Sequence, residues 1–266
     1  MNGCWSRLAP SLTLLAGGAL GSACGEPQGT TLPELEARPV PPATSVDYAL
    51  VFERDQQYAT TANADFPVAK ASQSISAWVK PARQDADEVF FTMRRGVESG
   101  TMFGFSQGRL TAWSVWGTRI FVQAAASIVS DRWYHVAHVQ TLIDDAADIY
   151  EQRLYLDGEL VAEGAQPPQS RTPTSSWLGS FDGTSLQYQG CLDDLRLYAR
   201  MLSQSEVQAE AAGERVSAEG LVAFWPFDET PGTSIVYDRS GNGNHGTLGD
   251  GVEAFMPDRV PSEAAR

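Results

Sequence analysis

Two adjacent carboxylates, Asp193 and Asp194, stand inside a stretch that otherwise alternates like a β-strand, Gln189 to Leu202, reading Q-G-C-L-D-D-L-R-L-Y-A-R-M-L. A period of two puts Cys191, Asp193, Leu195 and Leu197 on one side and Leu192, Asp194, Arg196 and Tyr198 on the other. Charge in such a strand is costly unless backbone N–H groups, an arginine or a cation offset it. The rest of the chain must therefore bring neutralising groups to this strand. After it, Ser203 and Glu206 have the spacing of a capping box, which predicts one short helix from roughly Gln204 to Ala212, closed by Gly213.

Nearly every other segment from Val46 onward has strand chemistry. Tyr48 to Glu53, Gln73 to Lys80, Glu88 to Met93, Thr101 to Ser106, Leu110 to Val115 and Trp133 to Gln140 are short and rich in β-branched and aromatic residues. Gly, Pro, Asp and Ser separate them, and Asp157-Gly158 is the strongest hairpin turn. With 266 residues and 42% hydrophobic content a sizeable core is within reach. Many strands with one helix predict an all-β sandwich of two antiparallel sheets.

Three more stretches join the strand at Gln189. Ala49-Leu50-Val51-Phe52-Glu53 with Tyr58, Ser74-Ile75-Ser76-Ala77-Trp78-Val79-Lys80-Pro81, and Trp133-Tyr134-His135-Val136-Ala137 followed by Leu154-Tyr155-Leu156-Asp157-Gly158 occur in that order. Together they resemble the signature of laminin-G-like domains, which implies a concanavalin A-like jelly roll over about 46–213. Such domains bind sugars or proteins, so the resemblance speaks to fold more than to activity.

Gly220 to Leu248 is similar to a segment that in the family usually precedes the jelly roll. Here it follows. Residues 214–266 are read as folding back to complete the same sandwich, the alternative being a truncated second repeat; Trp225 and Phe227 left alone would expose too much apolar area.

At the other end, Met1 to Ala23 reads as a signal peptide, with Arg7 as its only charge and an apolar run from Leu8 to Leu20. Small residues ending at Cys24 resemble a bacterial lipobox, which implies lipidation of Cys24, with ordinary secretion as the alternative. Residues 24–45 carry Pro27, Pro33, Pro39, Pro41 and Pro42 and read as an extended spacer. The expected address is the outer membrane or cell surface, with membrane contact only through the lipid anchor. Of three cysteines only Cys191 would remain, in a half-apolar strand, so no disulfide is expected. A formal net charge of -14 makes nucleic acid and anionic lipid poor partners.

Three constellations carry the candidate chemistry. Asp193, with Glu53 and Asp228 as neighbours in the fold, supplies the oxygen ligands that calcium takes; neutralisation by backbone N–H groups or Arg196 is the alternative. Asp238-x-Ser240-x-Asn242-Gly243-Asn244 places oxygen side chains like a calcium loop but lacks its closing glutamate, and an Asx-bonded turn is the preferred explanation. Trp113, Trp116, Tyr188 and Trp177 are the candidate aromatic platform for a sugar ring; Trp113 and Trp116 are three apart and face opposite ways in a regular strand, so core packing of at least one is the default alternative. The E-x-D-x-x-E strand of laminarinase-type jelly rolls is absent, and His135, His138 and His245 neighbour no nucleophile or zinc trio, so no catalysis is expected. The expected function is a non-catalytic surface module that binds polysaccharide, with a structural calcium. A protein-interaction or assembly role is the alternative.

Overall fold

The computed structural model describes residues 46–62, 66, 71–95, 99–114, 120–165, 173 and 175–264. Signal peptide, Cys24, proline-rich spacer and Trp116 lie outside the described residues. The strands run in chain order as β1 (Tyr48–Phe52), β2 (Ala59–Ala62), β3 (Gln73–Pro81), β4 (Asp87–Arg95), β5 (Ser99–Ser106), β6 (Arg109–Ser114), β7 (Ile120–Gln123), β8 (Tyr134–Asp144), β9 (Ile149–Leu156), β10 (Glu159–Gly164), β11 (Ser175–Leu178) and β12 (Gly190–Tyr198). Helix α1 (Gln204–Ala211) follows, then β13 (Leu221–Trp225), β14 (Ile235–Val236), β15 (Gly246–Leu248) and β16 (Asp258–Pro261).

Two antiparallel sheets result. One has the order β10-β9-β8-β3-β12-β1-β16 with β13 also on β12, and the other β14-β15-β2-β11-β4-β5-β6-β7. The chain after α1 thus adds strands to both sheets. Their facing surfaces share one core, including Leu50, Ile75, Val79, Phe91, Phe103, Leu192, Leu195 and Trp225. Burying residues of this size contributes about 1.5–3 kcal/mol each. A polar chain crosses this core: His138 Nε2 donates to Gln152 Oε1 (2.7 Å), Gln152 to Gln140 (3.2 Å) and Gln140 to the Ala71 carbonyl (2.7 Å). Burial lowers the His138 pKa to about 4, against a smaller opposing effect of its bond to Gln152.

Helix α1 has the capping box its sequence implies, with Ser203 accepting from the Glu206 N–H and Glu206 accepting from the Ser203 N–H. Arg200 grips the Glu206 carboxylate with two bonds of 2.7 and 3.0 Å, holding its pKa at about 2. Val207 packs the helix onto Ala137, Val139, Tyr155 and Tyr198, on the outer surface of the first sheet.

Strand β12 departs from strict alternation. Leu192, Leu195 and Leu197 all enter the core, a spacing of three and then two. The pairing with β3 shifts between Asp193 and Arg196, and Asp194 has φ 49°. This is a β-bulge. It falls where the neighbour of β12 changes from β1, paired up to Leu192, to β13, paired from Leu195.

Candidate functional site: a charged cleft on the helix-bearing sheet

The bulge decides what faces outward. Beyond it, Asp194, Arg196 and Tyr198 look away from the core, beside Trp78 of β3 and Phe224 of β13. Glu210 reaches down from the last turn of α1, and residues 213–218 close the far wall. The enclosed space is a cleft of about 630 Å³, a size suited to a small ligand.

Its chemistry is graded by depth. Asp194 and Glu210 are 4% and 3% exposed, and Trp78 and Tyr198 are buried with them. Arg196 is shared between the two carboxylates, with Nη2 3.3 Å from Asp194 Oδ2 and Nε 3.9 Å from Glu210 Oε1. Its guanidinium also lies 4.3 Å from the centre of the Phe224 ring. Tyr198 Oη donates to Glu210 Oε1 at 2.7 Å, while Glu210 Oε2 lies 3.7 Å from His135 Nε2, behind the cleft. Burial pushes the Glu210 pKa up, but His135, Arg196 and the hydroxyls around it outweigh burial and hold it below the ordinary value. Burial first, and the Glu210 carboxylate second, raise the Tyr198 pKa, so the phenol stays a donor.

The candidate residues read from the sequence are not assembled into this site. Tyr188 is fully buried, edge-on to Phe52 and Phe90, with its hydroxyl donating to the Cys191 carbonyl (2.9 Å). It cannot stack on a ligand. Trp113 is 7% exposed, packed with Val89 and Met102 beneath Phe181 and Leu186 of the loop over the opposite sheet. That loop, not a sugar, covers it. Trp177 of the same sheet is likewise engaged, 5.0 Å from the Tyr58 ring and with the Arg94 guanidinium 5.2 Å from its own centre.

The calcium set is also dispersed. Glu53 is exposed; Asp193 accepts from Ser262 Oγ; Asp228 accepts from the Tyr48 N–H at 2.9 Å. Asp238 closes its own turn, accepting from the N–H groups of Phe224, Ser240 and Asn244 and from Ser240 Oγ. Among the described residues no group of three or more His, Cys, Asp or Glu side chains is placed to hold a metal ion. These residues do not fit a calcium site, because Asp193, Asp228 and Asp238 already have protein donors of their own and exposed Glu53 joins no group of three ligands.

Trp78, Arg196, Glu210 and Phe224 were not singled out as ligand contacts in the sequence. The one available signal was that Asp194, Arg196 and Tyr198 share a side of the alternating strand. Glu210 and Phe224 arrive through the tertiary fold and gave none.

A two-sheet antiparallel sandwich with this strand order is a concanavalin A-like jelly roll. The chain belongs to the concanavalin A-like lectin/glucanases superfamily, whose laminin-G-like family model matches residues 53–208. Among solved structures it is similar to a Bacteroides ovatus protein for which carbohydrate binding is proposed, with TM-score 0.60 and 16% identity, covering 82% of this chain and 61% of that one. The chain thus spans about six-tenths of the length of that protein. It is also similar to the heptameric SAP-like pentraxin of Limulus polyphemus, with TM-score 0.50 and 16% identity, over 76% of this chain and 94% of that one. At such identities the likeness is one of fold. No curated protein matches the sequence.

Proposed function

We propose that this protein is a non-catalytic carbohydrate-binding module and that the cleft between β12, β13 and α1 is where the sugar binds. The observation that carries this reading is the convergence of aromatic side chains with charged side chains in one concave site. Sugars offer apolar ring faces to aromatics and hydroxyl pairs to carboxylates and guanidiniums. The family is the background to the reading, since the chain's fold is one that neighbours use for carbohydrate. The sequence lacks the E-x-D-x-x-E strand of laminarinase-type jelly rolls, so the reading is binding without hydrolysis. Lipidation of Cys24 and a cell-surface address belong to the same reading; Cys24→Ser should release the protein from membranes into the soluble fraction.

Affinity electrophoresis against a panel of soluble polysaccharides tests the binding site. Retardation by at least one polysaccharide is expected, and it should disappear in Arg239→Ala and Phe224→Ala, both at partly exposed cleft positions. Retardation that survives both changes, in variants with unaltered melting, would place the sugar elsewhere.

A further inference from the structure

The cleft is walled across one end. Helix α1 runs out into Gly213 (φ 73°), and the chain then crosses to Gly220 (φ 68°) before β13 begins. Both glycines take the left-handed conformation that lets a backbone turn sharply. The crossing is tied down on both sides. Toward α1, the N–H groups of Gly213 and Glu214 donate to the carbonyls of Glu210 (3.0 Å) and Ala209 (2.8 Å). Toward the end of β12, Arg200 donates to the carbonyls of Glu219 (2.7 Å) and Ser217 (3.3 Å), and the Ala199 N–H donates to that of Gly220 (2.7 Å). Val216 and Leu221 pack against the buried cluster that includes Tyr198 and Val207.

Resting on the carbohydrate reading above, we infer that this cleft takes the terminus of a glycan chain and not a segment from its middle. A segment from the middle must leave its site in two directions. Here Glu210 of α1 flanks the cleft on one side, Phe224 and Arg239 flank it on the other, and residues 213–220 cross the Tyr198 end. Because β13 runs antiparallel to β12, Leu221 lies at that walled end, and a chain enters at the opposite one, past Asp194 and Asp228. A sugar continuing beyond Tyr198 would collide with the wall, and a clash of this kind discriminates between ligands as effectively as a good contact. The volume of about 630 Å³ agrees, since it holds a ligand of disaccharide size and not a long run of rings.

Competition within the electrophoresis panel tests this. Each polysaccharide, dextran, xylan and mixed-linkage β-glucan among them, is cast in the gel and also offered as free competitor, either intact or hydrolysed to shorter chains. Chains cut about tenfold shorter carry about tenfold more termini per gram, so half-release should need about tenfold less hydrolysate than intact polymer by mass. Equal release by equal masses, or better release by the intact polymer, would overturn the terminus inference and leave the carbohydrate reading standing. Replacing residues 214–217 by Gly-Gly lowers the wall and should erase the difference; a folded variant that keeps it would overturn the inference too. Should that variant not fold, the wild-type series decides alone. Binding of hydrolysates by isothermal titration without retardation by any intact polymer would support a terminus site. No retardation by any polysaccharide and no binding of any hydrolysate would overturn both readings.

Discussion

Among the described residues, two of the sites that place arginine against buried carboxylate are built to opposite ends. Arg259 of β16 is enclosed: it donates to Glu229 Oε2 (2.9 Å) and to the carbonyls of Phe227 (3.0 Å), Thr233 (2.6 Å) and Ile235 (2.9 Å). Glu229 in turn accepts from the Tyr237 N–H at 2.9 Å. The group ties the C-terminal strands together, and although Arg259 also borders an open pocket with Thr233 and Asp258, its guanidinium is taken up by protein acceptors. Arg196 is instead divided between Asp194 and Glu210 at longer range and borders a cleft. Satisfied donors make an anchor; a shared cation next to open space leaves room for a ligand.

The largest expected effect lies at the closed site. Arg259→Met strands Glu229 in the interior and should cost about 4 kcal/mol in urea unfolding. A loss below about 1 kcal/mol would mean that the two sites are energetically alike, and the comparison would fail.

Acid should reveal the interior next. His138 is held neutral, with its pKa lowered to about 4, whereas an unfolded histidine titrates near 6.5. Its contribution is complete above pH 6.5 and is lost as pH falls toward 4, by roughly 3 kcal/mol, because only the unfolded state takes up the proton in that window. His138→Gln should flatten the stability profile between pH 6.5 and 4. An unchanged slope would assign acid sensitivity to other groups.

Smaller effects should mark the open site. Arg196→Met is expected to cost less than Arg259→Met, since its contacts are longer and it borders the open cleft, yet to abolish sugar retention. A stability loss as large as that of Arg259→Met would make the cleft another anchor. Glu206→Gln loosens both the helix cap and the Arg200 pair, by about 1 kcal/mol at neutral pH. Because the Glu206 pKa is depressed to about 2, that difference should fade as pH drops from about 4.5 to 2.

The sandwich and its one helix were legible because alternation and a capping box are local signals. The charged cleft was less so. Strict alternation put Leu192 with Arg196, and only the bulge at Asp194, set by the exchange of neighbours from β1 to β13, returns Leu192, Leu195 and Leu197 to the core. Nothing nearby in sequence encodes that exchange. Trp113 and Tyr188 carried the right chemistry for a sugar platform, but the loop bearing Phe181 and Leu186 covers the first and the core encloses the second. Aromatic identity is visible in a sequence; which distant segment lies over the ring is not. The turn at Asp238 shows the converse, since its oxygen spacing suited calcium while its own amides take up the carboxylate.

The indole N–H resonances of the tryptophans report most directly on where the ligand sits. On titration with a bound oligosaccharide, the Trp78 resonance, at the floor of the cleft, should shift while those of Trp177 and Trp225 stay in place. Movement of Trp113 or Trp177 with Trp78 unmoved would put the sugar on the opposite sheet and contradict the assignment of this cleft.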